Sequence, residues 1–163
     1  MAELRNLEDL FKHELMELYG VEENLIQAIP EMASRANDQL LKMALENHLE
    51  QTKAQKDRLD QVFQMLNIQK MEVPASAIEG MVMQGREMMA EDASPEAQDA
   101  GIIAAAQKIE HYEISGYGTA THYAERLGHM EAAALLRQTL DEEKMADTKL
   151  NELAKNSVNL KAM

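Results

Sequence analysis

Gln107-Lys108-Ile109-Glu110-His111-Tyr112-Glu113-Ile114-Ser115-Gly116-Tyr117-Gly118-Thr119 lies inside a long stretch with helical periodicity and no proline. One stripe runs through it: Ile103, Ala106, Glu110, Glu113, Tyr117, Ala120, Ala124 and Leu127, at alternating spacings of three and four. That spacing marks a helix face that packs against other helices. Glu110 and Glu113 break the apolar character of the stripe. A buried carboxylate is costly unless something positive compensates it. What faces this pair therefore decides the reading of the whole chain.

Outward from this stretch, the same anomaly recurs. The N-terminal segment has the inward row Phe11, Leu18, Glu22, Leu25, Ile29 and Met32, with Glu22 out of character. The next has Leu41, Leu45, His48, Thr52, Gln55, Leu59, Val62 and Leu66, polar in the middle and apolar at both ends. The last has Leu136, Leu140, Glu143, Asp147, Leu150 and Ala154. Periodicity puts Glu50 in solvent, Gln51 on the flank of the inward face, and His111 and His122 outside. His13 and His129 fall near helix ends.

Local signals set the boundaries. Asn6 can cap a first helix over about 6–34, with Glu8 and Asp9 in its first turn. Pro30 should kink that helix or mark its last turns. Asn37-Asp38 reads as a turn and cap for a second helix over 37–67. Residues 68–75, with Pro74, read as a loop. Ser76-Ala77-Ile78-Glu79 has the form of a capping box and opens a short, methionine-rich helix over 76–90. Ser94-Pro95 starts a helix over 95–127, Gly128 stops it, and a final helix spans 129–155. From Asn156 to Met163 no periodic signal remains, which predicts a frayed tail. The expectation is a single all-α domain over 1–163: an up-down four-helix bundle whose long crossover, between helices two and three, carries the short extra helix.

Composition narrows the function. The 163 residues suffice for one domain with a full core. A formal charge of −13, from 29 acidic and 16 basic residues, argues against nucleic acid and anionic membrane surfaces as partners. There is no cysteine, which removes thiol chemistry and fits a reducing, cytoplasmic setting. Met1 to Phe11, carrying Glu3, Glu8 and Asp9, does not read as a signal peptide. No apolar run approaches the ~20 residues of a membrane span.

Short turns make consecutive helices antiparallel, so residues equidistant from a turn face each other. About Gly128, Glu110 pairs with Asp147 and Glu113 with Glu143. About Arg35, Glu22 pairs with His48. Glu22, His48, Glu110, Glu113, Glu143 and Asp147 thus form one cross-section. Ionised and alone, this layer would repel itself, and some acids would have to stay protonated. Two cations would remove the conflict, and carboxylates with imidazole suit iron or manganese. The alternatives are a hydrated, metal-free polar layer and an interface between subunits.

The run Ile102–Ile114, continuing to Tyr117-Gly118-Thr119, resembles the hallmark of the YciE/YciF-type ferritin-like proteins, the DUF892 family. His48-Leu49-Glu50-Gln51-Thr52 and Leu140-Asp141-Glu142-Glu143-Lys144 with Asp147 resemble it too, and the likeness covers Leu7 to about Asn156. The resemblance implies a ferritin-like bundle, dimeric, related to rubrerythrin and bacterioferritin and associated with stress responses. Glu110-x-x-Glu113 is similar to the paired glutamates of rubrerythrin's third metal-binding helix. Glu143 follows Glu110 by 33 residues, a spacing like that of the corresponding glutamates of bacterioferritin and rubrerythrin. Three positions depart from the pattern. Ala146 stands where rubrerythrin-like sites carry histidine, Gln51 replaces a glutamate, and Lys53 stands where Glu50 would need a histidine partner.

The expectation is two iron or manganese ions held by Glu22, Glu110, Glu113, Glu143 and Asp147 with His48 as nitrogen ligand. They would react with oxygen or peroxide, served by a separate electron donor. The alternative is a non-enzymatic stress or structural protein whose polar layer is degenerate or metal-free.

Overall fold

The computed structural model describes residues 4–71 and 73–163. Glu3, in the expected acidic N-terminus, and Glu72, in the expected loop, lie outside the described residues. The described chain is helical, with no strand. Its helices are α1 (Leu7–Arg35), α2 (Gln39–Met65), α3 (Ser76–Ala90), α4 (Pro95–Arg126), α5 (Met130–Leu153) and a short α6 (Asn159–Lys161).

The helix ends follow local chemistry. The Asn6 side chain accepts from the Asp9 amide at 2.9 Å, and Ser94 from the Ala97 amide at 3.2 Å. Asp38 accepts from the Leu40 and Leu41 amides. Gly128 takes φ of +81°, where a side chain would be strained, and the His129 amide reaches back to the Ala124 carbonyl at 2.8 Å.

Pro30 lies in the last turns of α1, as its position led one to expect, and the helix ends at Arg35. Two expectations are corrected. Ser76 makes no capping bond, because Ala75 occupies the cap position and Ser76 is already helical. The tail is not frayed: a π-helical turn, Ala154–Val158, leads into α6. Val158 is 1% exposed in the core, and Lys161 pairs with Asp38 at 2.7 Å. One apolar anchor and one ion pair hold a segment too short to show periodicity.

Helices α4 and α5 pack along each other, as do α1 and α2, and the pairs join through α2 against α5 and α1 against α4. Helix α3 rests on α4 and touches α1. At Gly101 a Cβ would meet the Met88 sulfur, so the absent side chain lets α3 settle on α4.

The core is two apolar clusters. One holds Leu25, Ile29, Leu41, Leu45, Ile102, Ile103 and Leu150. The other holds Phe11, Leu18, Leu59, Val62, Ala120, Ala124, Leu136 and Leu140. In chain order α1 and α5 run from the second cluster to the first, while α2 and α4 run the other way. Neighbouring helices are therefore antiparallel, and the buried polar residues His48, Thr52, Gln55, Glu110, Glu113 and Glu143 fall where the clusters meet.

Candidate metal centre

Four helices contribute to this junction. Glu22 comes from α1, His48 and Gln55 from α2, Glu110 and Glu113 from α4, and Glu143 from α5. Each sits on the buried stripe of its helix, so packing the apolar turns on either side drives these groups inward. Glu22, Glu113 and Glu143 are fully buried, Glu110 is 2% exposed and His48 is 8% exposed.

His48, Glu110, Glu113 and Glu143 each bring one ligand-type atom within 4.8 Å of all the others. His48 Nε2 lies 3.1 Å from Glu110 Oε1 and 4.0 Å from Glu143 Oε2. Glu22 stands beside the four, its Oε1 held by a short hydrogen bond donated by the Tyr117 hydroxyl. Asp147 is half-buried at the edge, where Gln107 Nε2 donates to it at 3.0 Å and His111 lies 3.4 Å away. The structure thus brings four of the six expected residues into one cluster, sets Glu22 next to it, and leaves Asp147 on its rim.

Seven buried side-chain N and O atoms lack a hydrogen-bond partner among the described residues. All belong to this junction: Glu22 Oε2, His48 Nδ1, Gln55 Oε1, Glu110 Oε2, both Glu113 oxygens and Glu143 Oε2. Buried polar atoms are paired almost everywhere in native proteins, so such a concentration needs a cause. Burial drives Glu22, Glu110 and Glu113 well above the ordinary carboxylate pKa of 4.5. Glu143 raises all three further, while the Tyr117 hydroxyl bond pulls Glu22 partly back. Burial, and next the Glu22 carboxylate, pushes the Tyr117 hydroxyl up as well.

Around the cluster lies a supporting network that residue patterning did not single out. Gln55 Nε2 donates a short bond to Glu143 Oε1 and a second, at 3.1 Å, to Glu142. Arg58 grips both Glu142 oxygens at 3.0 Å and donates to Thr139 at 2.6 Å. Gln55 was visible on the inward row and Tyr117 on the central stripe, but neither pattern told which carboxylate each would meet. For Arg58 the usable signal was its place three residues after Gln55 and four before Val62 on the same helix face, since a long side chain can bury its stem there.

The family described as "Domain of unknown function (DUF892)" matches residues 6–163. This chain belongs to the DUF892 family. Protein YciF of Escherichia coli K12 is 41% identical over 160 residues, covering 98% of this chain and 96% of the E. coli one. The crystal structure described as that of the E. coli stress protein YciF superposes with a TM-score of 0.93, covering 96% of this chain and 99% of that one. YcfI of Rhodopseudomonas palustris, also 41% identical, gives 0.89 over 91% of this chain and 95% of that one. A Xanthomonas campestris protein shares the fold at 20% identity, with a TM-score of 0.73 over 93% and 92% of the two chains. No helix among the described residues is long and apolar enough to cross a membrane.

Proposed function

We propose that this DUF892 member is a ferritin-like, stress-associated protein whose four long helices form a bundle around a dinuclear carboxylate metal centre, with α3 as the extra helix of the crossover. One observation carries the reading: every orphaned buried polar atom among the described residues lies in one layer, where four ligand-type side chains converge within 4.8 Å. The donor set fits iron or manganese, being carboxylate oxygens with one imidazole and no sulfur. Glu110, Glu143, His48, Glu113 and Glu22 would hold the ions, with Asp147 as an outer carboxylate. Two bound irons would supply oxidation of Fe(II) by dioxygen or peroxide.

The chain's own contribution is orientation and partial shielding from water. Gln55 fixes one Glu143 oxygen, and Tyr117 fixes one Glu22 oxygen, leaving the other oxygen of each unengaged. The apolar clusters close the layer above and below, so water reaches it only from the side. Arg58 holds Glu142 away from the cluster and brings a positive charge near Glu22. The reading carries with it a homodimer, a cytoplasmic setting and a separate electron donor, since there is no cysteine for a rubredoxin-like iron.

Mass spectrometry of natively purified protein tests this. About two iron or manganese ions per chain are expected, together with Fe(II)-dependent consumption of oxygen or peroxide faster than free iron achieves. Near-zero metal, with none taken up on reconstitution, would sink it. A second reading, a metal-free stress protein, is favoured by the raised pKa values, since neutral carboxylic acids can share the layer without repulsion. It predicts thermal stability unmoved by added Fe(II) or Mn(II).

A further inference from the structure

Of the cavities along the surface, one opens onto the proposed centre. It lies in the seam between α2 and α5, has a volume of about 570 Å³, and has His48 and Glu110 among its lining residues. His48 is more than nine-tenths buried, and its Nδ1 has no hydrogen-bond partner. Gln51 and Ala146 also line the opening. These are two of the three positions where the sequence departs from the rubrerythrin-like pattern. The methyl group of Ala146 leaves space that an imidazole would fill, while Gln51, the same size as glutamate, changes only the charge of the wall.

The volume is far beyond what dioxygen or peroxide requires, since a water molecule occupies about 30 Å³. The walls indicate what does fit. Leu40 and Met43, 61% and 48% exposed, flank the opening, with Leu45 and Leu150 behind them. Exposed apolar side chains gathered at a mouth favour an apolar ligand surface. Lys149 is the one cation of the lining, and it has no ion-pair partner among the described residues. On a chain of net charge −13, this lysine places a local positive charge beside an apolar wall. One cation matches one anionic group; Asn47 and Gln51 add amides to the wall, and His48 and Glu110 form its inner end.

We propose that the α2–α5 seam binds an organic monocarboxylate with a short apolar chain. Its carboxylate sits at Lys149 and its chain lies along Leu40, Met43 and Leu150, above His48 and Glu110. This rests on the metal-centre reading for the role of the ligand, which is a molecule presented to the centre, but not for the binding itself.

Calorimetric titration of the metal-reconstituted full chain with octanoate, and separately with 1-octanol, tests it, with metal content measured on the same samples. Octanoate should bind the native chain. Lys149→Met should weaken octanoate about fivefold or more and leave 1-octanol unchanged. Ala146→Phe should abolish binding of both without altering metal content. A chain that holds metal but does not bind octanoate, or binds it equally after Lys149→Met, overturns the inference and leaves the metal centre standing. A chain that takes up no metal yet binds octanoate in a Lys149-dependent way supports the seam site and refutes the metal centre.

Discussion

Replacing Glu113 by glutamine should stabilise the metal-stripped protein near neutral pH. Glu113 is fully buried, and neither carboxylate oxygen has a partner. Burial first, then the Glu143, Glu22 and Glu110 carboxylates, raise its pKa well above 4.5. Below that ordinary value the folded and unfolded chains both hold the proton, and the group does not affect stability. Above it the unfolded chain releases the proton while the folded chain keeps it. Stability then falls with rising pH by about 1.4 kcal/mol per pH unit. This loss runs from the ordinary carboxylate pKa up to the raised one. Glutamine has no proton to release, so Glu113→Gln should remove that slope of about 1.4 kcal/mol per pH unit and leave the variant more stable than the native chain at pH 7, with a higher Tm. The assay is urea unfolding followed by circular dichroism, at pH 5, 6 and 7, on chelator-treated protein. A variant less stable than the native chain at pH 7, with the native pH slope retained, would refute the reasoning, because Glu113 would then be ionised and compensated. With Fe(II) added the order should reverse, since only the native site gains from the ion.

Three further substitutions probe the surroundings. Glu110→Ala should cut metal content sharply while leaving the metal-stripped fold as stable or more so, as read by mass spectrometry and thermal unfolding; lost stability without lost metal would count against its ligand role. Arg58→Met should cost about 3 kcal/mol in urea unfolding, because Glu142 and Thr139 lose their shared donor in a largely buried setting; a change below about 1 kcal/mol would mean that solvent replaces it. Asp99→Ala should cost about 2 kcal/mol, since its carboxylate accepts from the Asn37 and Asp38 amides at 2.7 Å, and amide exchange should quicken at those two positions ahead of the rest of α2.

Helical class was legible because each buried stripe repeats every three to four residues, and that repeat depends only on backbone geometry. The same repeat exposed Glu22, His48, Glu110, Glu113 and Glu143 as polar groups on apolar faces. Caps at Asn6, Asp38 and Ser94 were legible too, since each bonds amides two or three residues away. Periodicity could not place Asp147, which lies on the correct stripe yet turns to Gln107 at the rim. A stripe is wide enough to hold both a core position and an edge position, and packing chooses between them.

Amino-acid order alone thus determined that four helices would bury polar groups midway along their length, carboxylates on three of them and an imidazole on the remaining one. That followed from spacing and from the cost of exposing the apolar turns on both sides. Tertiary structure decided which atoms meet. It paired Tyr117 with Glu22, Gln55 with Glu143, Arg58 with Glu142, and Asp99 with a turn more than sixty residues away. It also opened the seam at Ala146 and folded the tail onto the core at Val158. These contacts join residues far apart in the chain, and their geometry depends on helix packing, which no local pattern records.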